Sequence, residues 1–296
     1  MTRQACPLCK SANTVEFWGI VWGAANKTTR QCNDCDLLYI FPQPTVGEQQ
    51  EFDLNYDKYI SERESLITNY VDSTFEMLVN ESIEERFNDI STYFLGVSSV
   101  MEVGAEKGGF LIRLSQNIKN LTGVDSCNEY RQVLKDHGFE NFSYVEDVPK
   151  EQKFDRICFF SLLEHILNPV NFMRAVKEHL KPGGLVIAEV PSANDPLLKL
   201  YDNNSFKSFT LQAMHPYVYS EKALRILFSK AGFKIKKFQY KQRYGISNHL
   251  HWLRKGLPGG AEDLDKIFKQ LDNDYISALE KSGYTDSIYI VAEHDN

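Results

Sequence analysis

Several features are absent from this 296-residue chain, and each absence narrows its chemistry. No apolar run approaches the roughly 20 residues that a membrane-spanning helix needs. The opening residues, MTRQACPLCK, lack the apolar stretch of a secretory signal, so a cytoplasmic location is expected. A basic excess is missing too: 33 Lys and Arg face 40 Asp and Glu, for a net charge of −7. Proteins that grip nucleic acid usually carry a basic face or stripe. The nearest stretch here, KIKKFQYKQR at 234–243, alternates like a strand and reads as one solvated face, so nucleic acid is not the expected partner. The dinucleotide fingerprint G-x-G-x-x-G is absent as well; residues 104–109 read G-A-E-K-G-G.

Cysteine is scarce but patterned. Of six cysteines, four form two C-x-x-C pairs, Cys6 and Cys9 in CPLC and Cys32 and Cys35 in CNDC, with 22 residues between the pairs. In a cytosolic protein this spacing points to metal more than to disulfides. Four thiolates can surround Zn²⁺ tetrahedrally at about 2.3 Å, and with no open position the zinc would be structural. The stretch TVEFWGIVWG alternates as a short hairpin would. A zinc ribbon is therefore expected over residues 1–45, with the metal supplying folding energy that so small a unit cannot gain by apolar burial.

Residues 46–92 read as a helical linker or cap, with Leu66, Tyr70, Phe75 and Leu78 spaced by about a helical turn. Tyr56 and Tyr59 could pack on the main domain or line its pocket. From residue 93 to 296 the pattern becomes short apolar strands alternating with helices, including SVMEVG, NLTGVD, FSYVE, RICFFS and LVIAEV. That alternation predicts an α/β fold, a doubly wound sheet of seven strands whose last strand is antiparallel, with insertions at about 192–220 and 245–285. The stretch SEKALRILFSKAG is expected to be a helix that starts at a Ser cap and ends at Gly232.

Open α/β sheets bind ligands beyond the carboxyl ends of their strands. Three features converge there. Glu102 and Gly104 end one strand, and Gly108 opens the next helix. Asp125 ends the following strand, where an acid can bind ribose hydroxyls. Phe160 and Ser161 end a third and run into LLEH. A phosphate is poorly served by a turn holding Glu106, because helix N-termini bind phosphate through positive charge and close backbone approach. A nucleoside ligand without phosphate avoids that repulsion. Glu106 is expected to face solvent or Lys107's side of the turn.

On these residues the chain resembles the class I S-adenosylmethionine-dependent methyltransferases. The resemblance rests on VMEVGAEKGGFL, GVD and FDRICFFSLLEHILNPVNFMRAVKEHLKPGGLVIAEVPS, and it covers about residues 93–240. The leader CPLCKS…CNDCDLLYIFPQPT…YDKY looks like the zinc ribbon of a bacterial group acting on nucleotide sugars, polysaccharide precursors and other small polar metabolites. The resemblance implies a Rossmann-like fold, S-adenosylmethionine as cofactor, structural Zn²⁺ and a small-molecule acceptor. It implies that Glu102, Gly104, Ala105 and Gly108 meet the methionine end, that Asp125 and Ser126 meet the ribose, that Glu146 and Asp147 meet the adenine amino group, and that Phe160 and Ser161 flank the methyl donor.

Sugar C-methyltransferases of similar layout carry Tyr-x-Glu-His after the fifth strand. Here Gln212-Ala213-Met214-His215 keeps only the histidine, a departure that weighs against C-methylation. His215 is the preferred proton acceptor, with Glu164 and His165 as a second acid/base pair. His249 and His251, read as strand residues, lack the i, i+4 spacing of a helical pair and are expected to bind no metal. Two rival readings stand: an RNA or protein methyltransferase that docks through the ribbon, and a non-catalytic cofactor-binding protein, prompted by Glu106.

Overall fold

A computed structural model describes residues 5–54, 75–259 and 262–294. Tyr56, Tyr59, Leu66 and Tyr70 lie outside these described residues.

At the N-terminus three short strands form an antiparallel sheet: β1 (Thr14–Trp18), β2 (Thr28–Cys32) and β3 (Leu38–Phe41). The hairpin's return strand is thus TTRQC, not the second half of TVEFWGIVWG. Gly23, at φ +79°, turns the chain there, and Trp22 bridges to Gln212. The small sheet gains a fourth strand from far along the chain, because β9 (Tyr217–Val218) pairs antiparallel with β3. Cys6, Leu8, Cys32, Cys35, Leu37 and Tyr39 belong to the same buried cluster as Phe159, Ala188, Leu224 and Ile290. Burying a Leu37-sized side chain contributes about 1.5–3 kcal/mol, so this packing fastens the small sheet to the large one.

The large sheet contains β4 (Ser99–Val103), β5 (Asn120–Val124), β6 (Glu140–Phe142), β7 (Phe154–Phe160), β8 (Leu180–Pro191), β10 (Phe233–Lys241) and β11 (Ser287–His294). Their order is β10-β11-β8-β7-β4-β5-β6. The run from β4 to β8 pairs in parallel, whereas β11 is antiparallel to both β8 and β10. This is the expected seven-stranded doubly wound sheet with its last strand reversed. Val100, Met101, Ile157, Phe159, Ile187 and Ala188 are wholly buried, as parallel strands covered by helices on both faces require. Strand order reverses at β4, where Glu102 lies beside Gly123 of β5 and Cys158 of β7. Ligands of such sheets bind at that reversal.

Local signals set the helix that leads into β10. Ser220 Oγ accepts from the Ala223 amide at 3.1 Å, and Gly232 at φ +80° ends the helix Glu221–Ala231. The expectation for His249 and His251 is corrected. They lie on the helix Ile246–Lys255, which closes at Gly256 with φ +67°, and not on a strand. Ser247 and His251, like His249 and Trp252, are buried at helical spacing. The polar identity of three of those four buried residues imitated a strand's alternation. No helix among the described residues is long and apolar enough to cross a membrane.

Candidate active site

The chain leaves β4 through a turn that only certain residues can make. Gly104 and Gly108 sit at φ +74° and +77°, the left-handed region where a side chain is strained. A Cβ on Gly104 would stand 3.2 Å from Leu162 Cδ1, and one on Gly108 only 2.7 Å from Leu134 Cδ2. The turn is closed by hydrogen bonds: the Gly104 and Ala105 amides donate to Val124 O at 2.8 and 3.2 Å, and Gly108 N donates to Ala105 O at 2.8 Å. Glu106, at φ +46°, is exposed, as expected, and its amide donates to Asp125 Oδ2 at 2.8 Å. Asp125 Oδ1 accepts from Cys127 N at 2.9 Å, so one carboxylate ties the glycine turn to the start of the next helix. A carboxylate oxygen can accept more than one bond, which leaves acceptor capacity for a ligand. Ser126 beside it is exposed. Glu146 and Asp147 are exposed in a short 3₁₀ turn, Val145–Asp147. The strand expected over FSYVE lies earlier, at Glu140–Phe142, and shares only Phe142 with it.

Glu102 is 4% exposed, and its Oε2 has no hydrogen-bond partner among the described residues. Burial pushes its carboxyl up to about 8, with Arg86 opposing and Glu106 and Asp125 reinforcing. A buried acid of this kind is costly unless a cation meets it. An ammonium-bearing ligand at the switch point therefore fits the donor set.

Sequence reasoning missed Arg86. From the helix Phe75–Ile90, its Nε contacts Glu189 Oε2 at 2.9 Å, while its guanidinium lies 4.6 Å from the centre of the Phe160 ring. Glu189, at 2% exposure, also accepts from Ser287 Oγ at 2.7 Å. Burial works to raise its pKa, yet Arg86 and Arg243 hold the carboxyl below the ordinary range. An acid inside the apolar strand LVIAEV was the available signal, since a buried charge demands a partner. Phe160 itself is buried and packs edge-on against Phe110 at 4.9 Å. Ser161 follows at φ +48° and donates its amide to Glu189 O at 2.9 Å.

The three residues singled out for proton chemistry meet in space. Glu164, His165 and His215 each offer one donor atom, and these atoms lie within 4.8 Å of one another. The two imidazole centroids are 4.8 Å apart, edge to face. His165 Nδ1 lies 2.9 Å from Met214 O. Glu164 is 1% exposed, and burial, with nearby Glu189, raises its carboxyl to about 8 against the pull of Arg243. His215 is brought in by the small sheet. Trp22 N donates to Leu211 O at 3.0 Å, Ala213 N to Trp22 O at 2.9 Å, and Ile40 N to Pro216 O at 3.0 Å. Leu162, just before the His165 turn, stands beside the glycine turn, 3.2 Å from where a Cβ on Gly104 would be.

The four ribbon cysteines also converge, with all sulfurs within 4.8 Å. Cys6 Sγ is 3.6 Å from Cys35 Sγ, and Cys9 Sγ is 3.5 Å from Cys32 Sγ. Sulfurs around a tetrahedral ion at 2.3 Å stand about 3.8 Å apart, so the donor set fits Zn²⁺. The two turns repeat one geometry: Lys10 N donates to Cys6 O and Asp36 N to Cys32 O, at 3.0 and 2.8 Å, with Lys10 and Asp36 both at positive φ. A cavity of about 500 Å³ beside this unit is lined by Leu8, Leu37, Pro169, Tyr217, Tyr219 and Lys230, among others, but by none of the glycine turn.

Comparison with known proteins adds three findings. The methyltransferase-domain family matches residues 76–237. The ubiquinone biosynthesis O-methyltransferase of Haemophilus ducreyi is 29% identical over an alignment of 116 positions that covers 34% of this chain and 49% of that protein. The chain thus spans about half the length of this curated relative. Among solved structures, a methyltransferase from Archaeoglobus fulgidus superposes with a TM-score of 0.51 at 15% identity, over 72% of this chain and 93% of that one. Another, from Thermotoga maritima, gives 0.50 at 18% identity, over 83% and 98%. At such identities the structural likeness concerns the fold alone.

Proposed function

This chain belongs to the methyltransferase-domain family, matched over more than half its length, and from that premise we propose that it moves a methyl group from S-adenosylmethionine to a hydroxyl oxygen of a small polar acceptor. The acceptor class proposed is a nucleotide sugar or a cell-surface polysaccharide precursor. The observation that carries the reading is the meeting of Glu164, His165 and His215 beside Leu162, the side chain that stands next to Gly104. It sets proton-handling groups beside the turn that would hold the methyl donor. Transfer to oxygen also agrees with the retention of histidine without the Tyr-x-Glu companions, and with the O-methyltransferase relative.

In this reading the cofactor supplies an activated methyl group, and the chain supplies position. Glu102 receives the ammonium of the methionine end. The backbone of Gly104, Ala105 and Gly108 lines the close approach, and Asp125 and Ser126 take the ribose. Glu146 and Asp147 stand at the adenine end. Phe160 and Ser161, held by Arg86 and by Glu189, flank the methyl-donor centre. Glu164, His165 and His215 face the acceptor and ease removal of its proton. Cys6, Cys9, Cys32 and Cys35 hold Zn²⁺ in a closed structural site.

The test is methyl transfer from labelled cofactor to a panel of nucleotide sugars. Label in an ether linkage on a sugar is the expected result. Transfer only to a phenolic acceptor would overturn the sugar assignment, and transfer to carbon would overturn the oxygen assignment.

Glu102 gives the reading a pH signature. Its carboxyl, at about 8 in the free protein, is mostly protonated at neutral pH. Pairing with an ammonium favours the carboxylate, so ligand binding releases a proton below that pH. Affinity for S-adenosylhomocysteine should rise with pH by up to about tenfold per unit between about pH 6 and 8, then level off. Calorimetry in buffers of different ionisation enthalpy reads both the slope and the proton. Glu102→Gln should bind more weakly and without that slope; a wild-type affinity flat over this range would remove Glu102 from the ligand's ammonium.

A further inference from the structure

We propose that Glu164, His165 and His215 together form a binding site for one first-row divalent cation, separate from the four-cysteine site, with open positions directed to the acceptor. The inference rests on the reading of this cluster as the acceptor-facing end of a methyltransferase site, and it specifies how the cluster works.

Geometry comes first. The three donor atoms lie within 4.8 Å of one another. Ligands held at about 2.0–2.2 Å from a shared ion stand roughly 3–3.5 Å apart, so closure needs side-chain shifts of about 1 Å. Two of the ligands come from the turn after β7 and the third from the 212–215 turn that the small sheet holds in place.

Independent support comes from the carboxylate. Glu164 is 1% exposed, and its Oε2 has no hydrogen-bond partner among the described residues. A buried polar atom left without a hydrogen bond is costly. A cation between the two imidazoles would satisfy that oxygen.

The histidine geometry agrees. A carbonyl oxygen can only accept, so the 2.9 Å contact with Met214 O makes His165 Nδ1 the donor. The ring's lone pair is then on Nε2. Metal-binding histidines characteristically donate their other nitrogen to a carbonyl or carboxylate in this way, which fixes tautomer and ring orientation. The Gln212 amide nitrogen lies 3.0 and 3.3 Å from the two ring nitrogens of His215. A neutral imidazole has a single acceptor nitrogen, so the amide can donate to only one of the two.

The donor types select the ion. Two imidazoles and one carboxylate suit Mn²⁺, Fe²⁺, Co²⁺ or Zn²⁺ more than Mg²⁺ or Ca²⁺, which prefer oxygen alone. Three protein ligands leave positions for an acceptor oxygen, unlike the closed four-thiolate site. An acceptor hydroxyl bound there loses its proton to water more readily. Its oxygen then forms the new bond to the methyl carbon as the carbon–sulfur bond breaks, with that electron pair passing to sulfur.

The test is a Co²⁺ titration of full-length protein whose cysteine site is already filled with Zn²⁺. One further equivalent is expected, with the weak visible bands of nitrogen and oxygen ligation and without intense thiolate charge transfer. His215→Ala and Glu164→Gln should each weaken this uptake by about 10–100-fold or more, while S-adenosylhomocysteine binding persists. His215 is half-buried in a turn, so its variant keeps the test decisive where the buried Glu164 variant fails to fold. No Co²⁺ uptake beyond the cysteine site, or equal uptake by wild type and His215→Ala, overturns the inference. Loss of S-adenosylhomocysteine binding by the wild type would instead strike the methyltransferase reading on which it rests.

Discussion

His215→Ala is expected to lower turnover by about 10²–10⁴-fold while leaving the affinity for S-adenosylhomocysteine unchanged. The argument is one of position. His215 sits in the 212–215 turn, held to Trp22 and Ile40 by backbone hydrogen bonds, and its ring meets His165 edge-on at 4.8 Å. The cofactor turn is built from other residues, Gly104 to Gly108, and is closed on Val124 and Asp125. Removing the imidazole therefore takes away an acceptor-side function and leaves donor binding alone. Single-turnover assays with a sugar-nucleotide acceptor, paired with calorimetry, separate the two. Unchanged turnover would remove His215 from the chemistry, and a parallel loss of cofactor affinity would place it on the donor side.

Cys32→Ser should cost the protein its ribbon zinc and much of its catalytic competence together. Structural Zn²⁺ in small units contributes roughly 10–16 kcal/mol of binding free energy that is also folding free energy. Here the unit is not isolated: Cys32, Leu37 and Tyr39 share one buried cluster with the large sheet. The thermal midpoint is expected to fall by about 10 °C or more, since each kcal/mol shifts a protein of this size by about 2–4 °C. The small sheet also carries β9 and anchors the 212–215 turn, so turnover should fall at temperatures where the variant remains folded. Elemental analysis, thermal unfolding and turnover measure the three effects. Zinc retained at the wild-type level, or an unchanged midpoint, would contradict a structural four-cysteine site.

What the sequence could disclose depended on how local each constraint was. The glycine turn was legible because φ near +75° at Gly104 and Gly108 restricts residue type at single positions. Asp125 stood out in the sequence as a strand-end acid, and in the fold it accepts from the Glu106 and Cys127 amides. The doubly wound, seven-stranded sheet followed from strand–helix alternation, while its strand order is seen only in the fold. The meeting of Glu164 and His165 with His215 could not be read, because it depends on β3 pairing with β9 across the chain. Arg86 was hidden in a polar-faced helix, where an arginine destined for a buried carboxylate looks like any solvated one. The helix around His249 was misread because its buried side chains are Ser247, His249 and His251 as well as Trp252, and apolar periodicity is silent when polar residues fill the core. His249 pairs there with Tyr275 at 2.5 Å, and burial lowers its pKa to about 4, which suits a neutral packed imidazole.

Everything proposed for catalysis depends on the turn from Gly104 to Gly108 holding an S-adenosyl ligand in spite of Glu106. Isothermal titration of the purified chain with S-adenosylmethionine and S-adenosylhomocysteine tests that claim most directly. One molecule of either ligand per chain is predicted, with heat and affinity reduced by Glu102→Gln. Absence of binding by both ligands to the folded, zinc-loaded protein would contradict it.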